Sequence, residues 1–194
     1  MHTQLKQRPI GALCLFLLFL LTSGLGAQST ADPEPRLEVE VEPAASLFGG
    51  YALNFGCRFR HLRISARSYA YHQRRFFIGE EAFSLESSGI GFALDYVFFR
   101  GNSPYIGLQS EFVTDQVFAQ SLTGNGVQSS INAGLRLGYR YHFGKADDDY
   151  RGLYVSPGVV LARPLEASEV EVAGHAYAPK KFFVIPALCV GYRF

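Results

Sequence analysis

Residues 180–194 read KKFFVIPALCVGYRF, and two interleaved rows of side chains run through them. Phe182, Val184, Pro186, Leu188, Val190, Tyr192 and Phe194 make one row, apolar from end to end. Phe183, Ile185, Ala187, Cys189, Gly191 and Arg193 make the other, which turns small and polar toward the terminus. A period of two marks a strand, because successive side chains leave opposite faces. An apolar strand that stops on an aromatic contrasts with the polar, frayed termini of most soluble domains.

The same alternation recurs through the chain. Leu37, Val39 and Val41 alternate with Glu38, Glu40 and Glu42 before Pro43. Ile131, Ala133, Leu135, Leu137, Tyr139, Tyr141 and Phe143 alternate with Asn132, Gly134, Arg136, Gly138, Arg140 and His142. The spacing predicts eight strands, over 36–43, 47–59, 62–71, 88–99, 105–118, 131–143, 152–162 and 180–194. The stretches 72–86, 119–128 and 163–179 break the pattern and read as loops. Short links follow Phe59, Phe99 and Phe143, and long ones follow Tyr71, Phe118 and Ala162. The first link, 43–46, is too short for that scheme. A second register starts at Leu47 and takes 76–85 as its third strand, and it also counts eight.

The amino end carries Lys6 and Arg8, an apolar run from Ile10 to Leu21 and a small-residue region ending at Ala27. That order predicts a cleaved signal peptide over 1–27, then a polar lead-in over 28–35. The run falls short of the roughly 20 residues a spanning helix needs. Removing Lys6 and Arg8 from the 18 basic residues leaves 16 against 17 acidic ones, so no basic excess points to nucleic acid. Past the leader only Cys57 and Cys189 remain; alternation sets them on opposite sides of their strands, so both are expected free. The chain holds 17 Phe, 11 Tyr and 20 Gly, and after the leader its lysines are Lys145, Lys180 and Lys181. A sheet wetted on its outer face would be rich in lysine there.

The polar rows are built of Gly, Ala, Ser and Asn with charges of both signs. Glu38, Glu40, Glu42, Asp95 and Glu111 stand against Arg58, Arg63, Arg67, Arg136, Arg140 and Arg193. Small residues and pairing charges suit the narrow interior of an eight-stranded barrel. Glu38, Glu40, Arg63, Arg67, Asp95, Glu111, Arg136 and Arg140 are the expected lumen charge network. Phe98, Phe99, Tyr139, Tyr141, Phe143, Tyr192 and Phe194 gather at strand ends, as interfacial aromatics do. The expectation is an all-β chain: a single closed antiparallel transmembrane β-barrel of eight strands over 36–194. Its apolar rows then face lipid, because a soluble barrel turns them inward.

On these rows, and on the terminal Val190-Gly191-Tyr192-Arg193-Phe194, the chain resembles the small eight-stranded outer-membrane barrels of Gram-negative bacteria, the OmpA/OmpX type. The resemblance implies residence in the outer membrane among its lipids and a monomer with a side-chain-filled interior and no cofactor. It also implies delivery by periplasmic chaperones to the barrel-assembly machinery, with Val190, Gly191, Tyr192, Arg193 and Phe194 as the assembly signal. The missing tryptophan departs from the usual picture.

Chemistry is sparse. A lipid A deacylase among such barrels uses a closely spaced His and Ser with a Glu, and neither His61 with Ser65 nor His142 supplies that spacing. His175 falls in a predicted loop, and no G-x-S-x-G marks a nucleophile. Asp147, Asp148 and Asp149 lack calcium-loop spacing and read as a solvated turn. No catalytic, cofactor or metal residue is therefore assigned. The functional expectation is a non-enzymatic outer-membrane barrel in envelope integrity, surface contact or limited small-solute passage. The alternatives are a lipid-modifying barrel enzyme and a secreted barrel binding an apolar ligand.

Overall fold

A computed structural model describes residues 35–73, 83–119, 125–145, 149–167, 170–172, 175–177 and 181–194. The predicted leader, and all of the lead-in but Pro35, lie outside the described residues. The elements are β1 (Arg36–Val41), α1 (Pro43–Leu47), β2 (Tyr51–Phe59), β3 (Leu62–Gln73), β4 (Phe83–Val97), β5 (Ser103–Ala119), β6 (Asn125–His142), β7 (Gly152–Ala167), β8 (Val170–Val172), β9 (His175–Tyr177) and β10 (Phe183–Arg193). Eight strands close an antiparallel barrel in the order β1-β10-β7-β6-β5-β4-β3-β2, while β8 and β9 form a separate hairpin. β1 closes the barrel against β10, with Glu38 opposite Arg193 and Val41 opposite Val190. The register that begins at Leu47 is thereby ruled out.

The predicted second strand, from Leu47, needs correction. Pro43 has no N–H for a ladder and suits the first turn of a helix, and Ala44 and Ala45 favour helix. Pro43–Leu47 is accordingly helical. Gly49, at φ 70°, takes the left-handed conformation that ends helices. The chain re-enters the sheet at Tyr51. This helical turn stands where the first link had looked too short.

Three predicted loops are also corrected. β3 and β4 run on to Gln73↔Leu85, so 72–73 and 83–86 are strand, and 74–82 lie outside the described residues. β5 and β6 pair out to Phe118↔Asn125, so 125–128 is strand rather than loop. β7 likewise continues to Ala167, and 170–172 with 175–177 makes the hairpin within the predicted 163–179 loop. Alternation failed there for a physical reason. Ladder bonds are made by backbone, and a strand that projects past the hydrocarbon needs no apolar outer row. β4, β5 and β6, at 15, 17 and 18 residues, exceed the roughly 9–11 that cross a bilayer.

Facing is the reverse of that in a water-soluble domain. Leu108, Phe55 and Ile64 point outward with 64%, 59% and 54% of their surface exposed. Leu137 and Tyr139 are exposed, whereas Arg136 and Arg140 on either side of them are buried. An aromatic collar rings the short-turn end. Tyr96 meets Phe98 edge-on at 5.2 Å, Tyr141 meets Phe143 at 5.2 Å, and Tyr192 lies 4.9 Å from Phe194.

Candidate functional site

The inward rows of β1, β3, β4, β6 and β10 deliver ionic side chains to one level of the lumen near the short-turn end. Glu38 lies at its centre. Its Oε2 accepts from Arg63 Nε at 2.6 Å and Arg140 Nη1 at 2.7 Å, and its Oε1 from Arg193 Nε at 3.0 Å and Nη2 at 2.8 Å. Glu40, one pleat along, accepts from the Tyr154 hydroxyl at 2.9 Å and Arg140 Nη2 at 3.2 Å, and pairs with Arg63 Nη2 at 2.9 Å. Asp95 stands 3.3 Å from Arg63 Nη1, 3.4 Å from Arg136 Nε and 3.7 Å from Arg140 Nη2. Glu38 is 1% exposed, and Arg63, Asp95 and Arg140 are 0% exposed.

Neighbouring side chains hold this knot in shape. Arg140 lies over the Tyr105 and Tyr154 rings at 5.3 and 5.5 Å, a favourable cation–π arrangement. His142 Nε2 accepts from Arg193 Nη2 at 3.0 Å. Glycine makes the room: a Cβ on Gly56 would sit 2.7 Å from the Arg63 guanidinium. Gly191 faces the Tyr154 ring in the same way.

A second, smaller cluster lies toward the long-loop end. Arg67 bridges Glu42 at 2.5 Å and Glu111 at 3.2 Å, and the Tyr69 hydroxyl is 3.4 Å from Glu111. Beyond it, Ser87 donates to Asp115, and the apolar Leu85, Val117 and Val172 are buried.

Of the eight residues expected in the charge network, six meet in the first cluster: Glu38, Glu40, Arg63, Asp95, Arg136 and Arg140. Arg67 and Glu111 belong to the second. Arg193, counted with the terminal signal, is a full member of the first. Arg58 is buried too, but its guanidinium donates to the carbonyls of Arg60, Phe99 and Arg100 and so ties two turns together. Tyr154, Tyr69 and Tyr105 were missed; the one available signal was a bulky tyrosine on a row otherwise small or charged. In the terminal signal, Tyr192 and Phe194 are exposed outward, Val190 is half-buried, and Gly191 and Arg193 face the lumen.

Among the described residues, the histidines do not assemble with a nucleophile. His61 lies exposed on the β2–β3 turn, with Nδ1 at 2.9 Å from the Val97 carbonyl and its ring stacked on Tyr96, while Ser65 is buried on the lumen side. The His175 side chain lies outside the described residues, as do Asp147 and Asp148. Cys57 and Cys189 are both free, the first half-buried outward and the second buried inward.

An apolar exterior wrapped around a buried ionic interior defines a class: a membrane-spanning β-barrel of the outer-membrane type. No family model matches the chain, and no curated protein matches its sequence. Among solved structures it is similar to Neisserial surface protein A (NspA), at 16% identity and TM-score 0.45, over 82% of this chain and 94% of that one. It is also similar to a major outer membrane protein from Thermus thermophilus, at 13% identity and TM-score 0.46, over 82% of this chain and 98% of that one.

Proposed function

We propose that this protein is a non-enzymatic, monomeric barrel of the bacterial outer membrane that serves envelope integrity and surface contact, not solute passage. One observation carries the reading. Glu38, Arg63, Asp95 and Arg140 stand in the lumen with at most 1% of their surface exposed, so solvent does not reach them. An ion moving through would have to part charges held in a low-dielectric interior, a cost of several kcal/mol per ion. The long strands and the β8–β9 hairpin then stand at the outer surface, and the short turns face the periplasm, the arrangement such barrels adopt. Val190–Phe194 serves as the assembly signal, delivered by periplasmic chaperones to the barrel-assembly machinery. In planar bilayers the purified protein gives no discrete conductance steps; steady single-channel openings would overturn the sealed-lumen reading. Recovery from cells as a soluble periplasmic monomer would overturn the membrane reading itself.

A further inference from the structure

The seam that closes the barrel is short. β1 pairs with β10 from Val41↔Val190 to Glu38↔Arg193, with one more bond from the Phe194 amide to the Leu37 carbonyl at 3.0 Å, whereas β7 follows β10 from Phe183↔Ala162 to Arg193↔Gly152. Among the described residues, no strand pairs with the second edge of β10 from Phe183 to Cys189. α1 occupies the place a longer β1 would take and lies against β10, β2 and β3. Its Ala45 is buried with Ala52, Tyr69 and Val113, which fills the lumen side of the gap. Side chains beside the gap stay exposed. Ile185 shares the inward parity of Cys189 and Arg193 yet is 41% exposed, and Leu47 on α1 is 75% exposed.

This notch lies within the lipid-facing belt. Phe182, Val184 and Leu188, on the outward row of the same stretch, are exposed at 56%, 60% and 49%. The inward row changes character where β1 stops: Arg193 and Gly191 lie beside β1, and Cys189, Ala187, Ile185 and Phe183 lie beyond it. Open strand edges are not tolerated against bare hydrocarbon, because their N–H and C=O groups find no partner there. The edge N–H groups call for oxygen acceptors beside an apolar chain, which the ester region of a membrane lipid supplies. A cationic rim completes the match, because Arg163, next to the Ala162 that pairs with Phe183, and Lys181, two residues before β10, are both exposed.

We propose that the open edge of β10 beside α1 is a lateral lipid site that takes the ester and acyl region of a phosphate-bearing membrane lipid into the barrel wall. The ester carbonyls accept from the Val184 and Leu188 amides, which flank Pro186 with no N–H of its own, the chain lies on Ile185 and Ala187, and the phosphate is set against Arg163 and Lys181. The site is continuous with the lipid-facing surface and rests on the membrane placement above, though not on the sealed lumen.

The test uses the native mature protein in bilayer discs doped with a phosphatidylglycerol whose acyl chain carries a photoreactive diazirine. Mass spectrometry then places the adducts. On the inward Ile185 and Ala187 they should reach at least about one-fifth of the yield on outward Leu188, since both rows would touch the chain. Adducts confined to the outward row, below that level inside, would overturn the proposal while leaving the membrane reading intact. Ala187→Trp, which fills the notch, should lower the inward adducts about tenfold without changing those on Leu188. If that variant fails to fold, the native comparison still decides. Exchanging Arg163 and Lys181 for Gln should lower the inward yield about threefold with phosphatidylglycerol and not with a diazirine diacylglycerol. An equal loss with both probes would overturn the phosphate assignment.

Discussion

Glu38 binds three guanidinium groups at once, from strands that are far apart in sequence. Neutralising it leaves Arg63, Arg140 and Arg193 buried with too little negative charge. Breaking a buried pair by removing one partner costs about 3–5 kcal/mol. Glu38→Gln should therefore lower the unfolding free energy of the refolded barrel by that amount, read as a lower urea midpoint with an unchanged slope. On the outer face the sensitivity is reversed. Leu108 is 64% exposed, and at a water-facing position an arginine there would be nearly neutral. In a bilayer Leu108→Arg should cost about 2–4 kcal/mol, the penalty for arginine near the midplane of such barrels. A change under about 0.5 kcal/mol, the usual range of surface substitutions, would mean that this face meets water. The charges of the lumen were legible as residue types on polar rows. Which of them meet was not, because Glu38 and Arg140 are 102 residues apart and only closure brings them within 2.7 Å.

At the scale of elements, β10 carries three duties on one strand. Its last residues seal the barrel against β1, its inward Arg193 joins the ionic knot, and its outward aromatics join the collar. Phe194→Ala removes one of those aromatics and leaves Arg193 in place. If the terminal segment is the assembly signal, this variant should refold in detergent with an unchanged midpoint yet reach the outer membrane in cells in reduced amount. Equal loss in both settings would show that the aromatic matters to stability alone. β10 itself was evident from its alternation. α1 was not, since a single helical turn between two strands leaves no periodic trace, and Leu47 was read as the start of β2. The polar ends of β4, β5 and β6 were missed for the matching reason: outside the hydrocarbon a strand keeps its ladder without an apolar row.

Eight strands between Arg36 and Arg193 close into a barrel, and its interior buries charges of both signs, Glu38, Glu40 and Asp95 with Arg63, Arg140 and Arg193. Each of the eight barrel strands lies between two neighbours, though β10 is paired along its full length on one edge only, and such closure makes barrels kinetically resistant to detergent. Unheated protein should run at a different position from boiled protein on a denaturing gel, and Glu38→Gln should lower the temperature at which the folded band disappears. A single band at all temperatures would contradict a barrel of this kind.

Taken alone, the sequence determined that the chain is all-β, that its strands alternate between an apolar face and a small or charged one, and that eight of them suffice to close. Those properties are local, carried by periods of two and by glycine-rich turns. The partners of Glu38, the helical turn of α1 and the unpaired edge of β10 were decided only by tertiary structure. Each depends on where strands distant in sequence come to lie around the cylinder, and pairing between strands is a property of register and closure rather than of any one segment.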